Sequence, residues 1–134
     1  MHKVVLITGA AHRIGRETAK VFAEDGWNVI IHFNSSLKAA AELAAEFNAK
    51  RSGSACIIQA DLDIDADVER LVSESKEVYG RIDALINNAS SFYSTPLPDI
   101  SYEDWDKLIG SNLKGPSFIT KGLTPMLEEA KGSV

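Results

Sequence analysis

The sequence predicts an α/β fold built on a doubly wound parallel sheet with helices on both faces, and three observations carry that expectation. Short apolar, β-rich runs alternate with helical patterns of about 12 to 16 residues, an alternation that implies right-handed crossovers between parallel strands. The first apolar run, Val4-Val5-Leu6-Ile7, breaks into Thr8-Gly9-Ala10-Ala11-His12-Arg13-Ile14-Gly15, which reads as a strand, a tight glycine turn and the start of a helix. Four suggestive loops, Thr8 to Gly15, His32 to Ser36, Asp61-Leu62 and Asn87 to Tyr93, each follow a strand. Ligands of such sheets bind outside the carboxyl ends of the strands, so the four loops converge on one edge.

Each element follows from its own pattern. At the first turn, backbone N–H groups at the helix N-terminus lack partners and the helix dipole adds partial positive charge, which makes a phosphate site. Gly9 permits the turn; Gly15 lets helix and strand approach closely or lets a pyrophosphate lie against the backbone. The strict G-x-G-x-x-G spacing is absent. Ile14, Thr18, Val21 and Phe22 predict the buried face of a helix that runs to about Asp25 and stops at Gly26. Trp27 to Phe33 is apolar and β-rich, as suits a parallel strand covered on both faces. Asn34-Ser35-Ser36 supplies turn and N-cap chemistry. Leu37, Ala40, Leu43, Ala44 and Phe47 then mark a second helix that ends before Ser52-Gly53.

Ser54 to Gln59 is the third strand. Val68, Leu71, Val72 and Val78 line a third helix to Tyr79, stopped by Gly80, and Ile82 to Ile86 is the fourth strand. Ser90 to Pro98 is the one long irregular stretch, and long loops in compact domains are often functional. Ser101-Tyr102-Glu103-Asp104 resembles a capping box with Asp in place of Glu or Gln, ahead of a helix presenting Trp105, Leu108, Ile109, Asn112 and Leu113. Pro116 interrupts that pattern before Phe118, Ile119, Leu123 and Leu127. A proline there either breaks the helix at Gly115-Pro116 or kinks it and leaves the Asn112 carbonyl without its N–H donor.

Composition narrows the function classes. A chain of 134 residues at 45% hydrophobic is long enough for one domain, 1–134, with a real core. The net charge of −5, with Lys and Arg spread along the sequence, leaves no basic footprint for nucleic acid or anionic membrane. The single cysteine, Cys56, lies in an apolar run as a buried small hydrophobe, which argues against a disulfide scaffold and suits a reducing compartment. With no apolar run near about 18 residues and no signal segment, a soluble cytoplasmic protein is expected. His2 and His12 read as exposed, and no second ligand at metal spacing accompanies either, so no metal site is expected.

Thr8-Gly9-x3-Arg13-x-Gly15, Asp61-Leu62, Asn87-Asn88-Ala89 and Asn112, in that order and spacing, closely resemble the short-chain dehydrogenase/reductase family, a likeness that covers Val4 to Val134. The resemblance implies a Rossmann-like domain in which Gly9 to Gly15, Ile14 included, cradles a cofactor pyrophosphate. It places Asp61 and the Leu62 backbone against the adenine, and Asn88 and Ala89 beside the nicotinamide-proximal ribose. Asn112 would hold the water of a proton relay. Arg13 stands where the family usually has the central glycine of the turn, and this version, together with Ser90-Ser91-Phe92-Tyr93 and Thr95-Pro96-Leu97, is similar to the pteridine reductase branch. By that likeness Phe92 stacks on a pterin ring and Ser90 hydrogen-bonds the ligand.

After the second strand no acid is available for a ribose 2′-hydroxyl, and Arg13 projects from the neighbouring turn, so NADP(H) is favoured over NAD. The 2′-phosphate would rest on Arg13, Ser35, Ser36 and His32, with Asn34 in the same loop, although relatives often carry arginine where this chain has Ser35. The family's Tyr-x-x-x-Lys, which donates the proton in hydride transfer, follows a fifth strand; Tyr79, Tyr93 and Tyr102 have no lysine four residues on. The sequence is therefore expected to be the N-terminal half of a longer NADPH-dependent reductase of pterins or dihydrofolate. The alternatives are another carbonyl or 3-oxoacyl reductase, or a non-catalytic NADP-binding module. By resemblance the expected partners are a small-molecule substrate and further copies of the chain, commonly as a tetramer.

Overall fold

The computed structural model describes residues 1–134. Strands β1 (Val4–Ile7), β2 (Asn28–Phe33), β3 (Ala55–Gln59) and β4 (Ala84–Ile86) form one parallel sheet in the order β3-β2-β1-β4. Strand order reverses at β1: its successor by way of helix α1 (Arg13–Glu24) lies on one side, and β4 lies on the other. Helices α1 and α2 (Leu37–Lys50) cover one face of the sheet. Helices α3 (Asp65–Tyr79) and α5 (Gly115–Ala130) cover the opposite face. The expected Rossmann-like α/β layering is present.

Alternation along each strand divides the core in two. Val5, Ile7, Val29, Ile31 and Phe33 pack with Ala40, Leu43 and Phe47, whereas Val4, Leu6, Ile30 and Ile58 pack with Val68, Leu71, Ile119 and Leu123. Because both faces are covered, β1 is buried at every position, the reason it reads as a continuous apolar run. Gly26 and Gly80, at φ +82° and +70°, end α1 and α3 in the left-handed region, as their positions in the sequence suggest.

Several helix faces differ from expectation. Ile14 is 76% exposed and Val21 is exposed too; α1 instead meets the sheet through Gly15, Ala19 and half-buried Phe22, because small residues let helix and sheet approach closely. Leu37, Val78 and Phe118 also face outward at the margins of their helices. Cys56 is half-buried against the core rather than enclosed. Burial pushes its thiol up to about 11, with the Tyr79 hydroxyl opposing and Glu74 reinforcing.

The Ser101–Asp104 capping box forms as read, with Asp104 N–H donating to Ser101 Oγ at 3.1 Å and Ser101 N–H to the Asp104 carboxylate at 2.9 Å. It opens helix α4 (Tyr102–Ile109), which buries no residue; Trp105 on it and Leu113 just beyond it stand exposed where a packed face was expected. The helix does not break before Pro116. A π-helical turn, Gly110–Lys114, joins α4 to α5, with Gly115 N–H bonding the Gly110 carbonyl. The wider turn accommodates the missing donor, and Pro116 falls in the first turn of α5, where no N–H is required. At the other edge Ser133 pairs in parallel with Ala84, so β4 is met there by a single bridging residue.

Candidate cofactor site

The site is organised by the end of β1. Thr8 Oγ1 accepts the N–H groups of Asn88 and Ala89 at 3.0 and 2.9 Å and donates over 3.4 Å to the Ile86 carbonyl. Asn88 Nδ2 returns to the Thr8 and Gly9 carbonyls at 3.0 and 3.2 Å. The loop after β4 is thereby stitched to the turn after β1. Gly9 turns the chain at φ +63°. A methyl group on Gly15 would lie 2.3 Å from the Gly9 carbonyl oxygen and 2.6 Å from Asn88 Nδ2, so Gly15 is required by the approach of helix to turn. Thr8 was not among the expected site residues; the signal for it is its place between the strand and the first glycine.

Helix α1 starts uncapped. His12, its N-cap, is extended and offers no side-chain bond, and the first turn carries no acid. The first N–H with a partner is that of Arg16, to the His12 carbonyl at 3.2 Å, leaving those of Arg13, Ile14 and Gly15 unbonded within the chain. Arg13 sits at φ +50°, in the left-handed region. That conformation gives the physical reason a glycine is common at this point, and it holds an exposed guanidinium beside the free N–H groups.

Gly9, His12, Arg13, Ile14, Gly15, His32, Asn34, Asn88, Ala89 and Ser90 line one open cleft of about 820 Å³ at the carboxyl edge of the sheet. No carboxylate lines it. Three of the four expected loops, those after β1, β2 and β4, supply this lining; the loop after β3 and the other expected residues lie outside it. Ser35 is exposed, and Ser36 caps α2 without a side-chain bond. Asp61 is engaged locally: its N–H donates to the Asp67 carboxylate at 2.8 Å and its Oδ1 accepts from Asp63 N–H at 3.0 Å. Leu62 packs in the core of α3 and α5, with its carbonyl oxygen against Gly115. Phe92 is 92% exposed and has no stacking partner.

Asn112, on the π turn, uses its amide on the loop after β4. Its Oδ1 accepts the Ser91 N–H at 2.9 Å and its Nδ2 donates to the Ser91 carbonyl at 2.8 Å, while the hydroxyls of Ser91 and Ser111 bond each other. Arg16, also outside the expected set, ties the turn to α2 through the Ala11 and Ala39 carbonyls at 3.4 and 3.3 Å. Nothing in its sequence position beyond the helical offset from the turn marks it.

His32 is corrected as a direct phosphate ligand. It is 2% exposed, and both ring nitrogens are committed: Nδ1 accepts the Gly9 N–H at 3.0 Å and Nε2 donates to the Ala60 carbonyl at 2.9 Å. Burial lowers its pKa below the ordinary histidine value, partly offset by the Ala60 carbonyl, so the ring is neutral at pH 7 with its proton on Nε2. Its alternating-face position in β2 decides this, since one strand residue earlier or later would face the opposite layer.

The comparisons agree with this geometry. The family model described as short chain dehydrogenase matches residues 3–134. A crystal structure of FolM alternative dihydrofolate reductase 1 from Brucella suis, in complex with NADP, superposes with a TM-score of 0.87 at 34% identity, over 93% of this chain and 51% of that one. The 3-oxoacyl-acyl-carrier-protein reductase FabG of Staphylococcus epidermidis is 33% identical over all of this chain and 55% of its own length. An uncharacterized oxidoreductase of Thermotoga maritima is 36% identical over 98% of the chain and 51% of its own length. The chain thus spans about half the length of the curated relatives it matches. With a strand-turn-helix of this kind, a parallel sheet in the order β3-β2-β1-β4 and a family match along nearly its whole length, the chain belongs to the short chain dehydrogenase family.

Proposed function

We propose that the cleft binds NADP(H) and that the chain supplies the cofactor-binding part of a reductase acting on pterins or dihydrofolate. The observation that carries the cofactor reading is the set of three unbonded N–H groups at Arg13, Ile14 and Gly15, beside the Arg13 guanidinium, in a cleft with no carboxylate. That donor set fits a pyrophosphate and a 2′-phosphate. Gly9 and Gly15 would let the pyrophosphate lie close, Arg13, Asn34, Ser35 and Ser36 would take the 2′-phosphate, Asp61 and the Leu62 backbone the adenine, and Asn88, Ala89 and Ser90 the nicotinamide end. The complex with NADP of the Brucella suis relative supports the choice.

When bound, NADPH supplies the hydride. The residues of this chain bind and orient. The Asn112 amide fixes the Ser91 backbone and so sets where Ser90 and Phe92 stand at the nicotinamide end. Ser90 would hydrogen-bond the substrate, and Phe92, exposed and free to swing over a flat ring, would stack on it. Likeness to a dihydrofolate reductase supports the pterin reading; the 33% identity to the Staphylococcus epidermidis enzyme favours the second reading, a 3-oxoacyl thioester as substrate.

Titration of the chain with NADPH and NADH, followed by nicotinamide fluorescence, tests the cofactor. The expected result is NADPH bound at least about tenfold more tightly than NADH; equal affinities would overturn the NADP assignment. NADPH oxidation by the full-length reductase that carries this chain, with dihydrofolate and with a 3-oxoacyl thioester, separates the two substrate readings: turnover on the thioester alone would overturn the pterin reading.

A further inference from the structure

His32 sits in the floor of the cleft, yet it has nothing to give a ligand. Its ring spans two of the loops that build the edge, Gly9 in the turn after β1 and Ala60 after β3, and the Ala10 N–H completes the attachment through the His32 carbonyl at 3.0 Å. The bond at Gly9 is unusual in kind. A backbone N–H in a phosphate-binding turn points at the ligand when nothing else takes it, whereas here a buried imidazole nitrogen takes it from behind. The turn is therefore held with the Gly9 N–H pointing into the protein, and the three N–H groups of Arg13, Ile14 and Gly15 remain for the ligand.

We infer that His32 is a positioning residue: by accepting the Gly9 N–H on Nδ1 it fixes the turn in the conformation that offers the α1 N-terminus to the cofactor. The inference rests on the proposed cofactor reading of the cleft. Its chemical requirement is an acceptor at the Nδ1 position; the donor at Nε2 serves the separate contact to Ala60. His12 and Arg13 line the same cleft and Asp61 follows Ala60 in sequence; the ring's hydrogen bonds go to Gly9 and Ala60 and to none of these three.

Two amides separate the two nitrogens. Asn places its Oδ1 at the position of Nδ1 and retains the acceptor for Gly9, whereas Gln places an amide nitrogen near Nε2 and retains only the donor to Ala60. NADPH affinity is measured by nicotinamide fluorescence for wild type, His32→Asn and His32→Gln, alongside the Gly9 amide shift in nitrogen-15 spectra without ligand. His32→Asn is expected to bind within about threefold of wild type, and His32→Gln about tenfold or more weakly with a displaced Gly9 amide. Equal affinity of wild type and His32→Gln, or equal losses in the two variants, would overturn the role. If His32→Gln does not fold, His32→Asn decides alone: near-wild-type affinity supports the role and a tenfold loss overturns it. Failure of the wild type itself to bind NADPH would instead overturn the cofactor reading, and the role with it.

Discussion

The Asn112 side chain grips Ser91 by both backbone groups, accepting its N–H at 2.9 Å and donating to its carbonyl at 2.8 Å across 21 residues of sequence. A side chain on a π turn thus does for the loop what a neighbouring strand would do. The π turn itself follows from Pro116, which cannot donate to the helix.

Replacing Asn112 by Ala removes both bonds, and replacing it by Asp keeps the acceptor but sets a carboxylate against the Ser91 carbonyl. Each bond contributes about 1 kcal/mol. Both variants are expected to stay folded with amide exchange raised in the Ser90 to Pro98 loop, and at Ser91 itself more in Asn112→Ala, which leaves that N–H without its acceptor. Hydrogen exchange at Ser91 checks this; unchanged protection would mean the loop is held by other contacts.

Arg13 combines an unfavourable φ of +50° with the one guanidinium lining the cleft. Arg13→Gly relieves left-handed strain of about 1 kcal/mol, part of which is cancelled by the greater freedom of glycine in the unfolded chain. Stability is expected to stay within about 1 kcal/mol of wild type while NADPH affinity falls toward that for NADH. Chemical unfolding and the two titrations, run on one preparation, separate the effects.

Asp83 is buried and accepts Val4 N–H at 2.8 Å and Arg81 Nε at 2.8 Å. Burial alone would raise its pKa, but the Arg81 guanidinium and the Val4 N–H outweigh it and hold the carboxyl below the ordinary range. A pKa lowered on folding adds stability that is present above the unfolded value, about 3.9, and is lost as pH falls through the folded value. Asp83→Asn should cost about 1 to 3 kcal/mol at pH 7. The gap to wild type should shrink as the pH falls below about 4; a pH-independent gap in urea unfolding would show that packing, not charge, is at stake.

Ser75 is fully buried on α3, and its hydroxyl has no hydrogen-bond partner. Removing an unsatisfied hydroxyl and introducing a better helix former both favour Ser75→Ala, by about 1 kcal/mol together. The unfolding midpoint is expected to rise without change in NADPH affinity. A fall would mean the oxygen fills space the methyl group leaves empty.

The order of elements, the layering and the turn after β1 were all legible in the sequence. Covalent spacing fixes them: a buried parallel strand must be apolar throughout, a helix end is written in glycine or in the Ser101–Asp104 box, and a proline at 116 had to be accommodated where it stands. Which helix faces are buried was legible only in part. The apolar stripe Ile14–Val21 suggested one face of α1, but Gly15 and Ala19 on the other side allow a closer approach, and close approach buries more. The role of His32 belonged entirely to the tertiary structure. Its position near the carboxyl end of β2 placed it near the site, but only the convergence of the Gly9 turn and Ala60 on its two ring nitrogens made it a buried brace instead of a phosphate ligand. Local pattern reports what each segment prefers; hydrogen-bond partners far apart in sequence are decided when the layers close on one another.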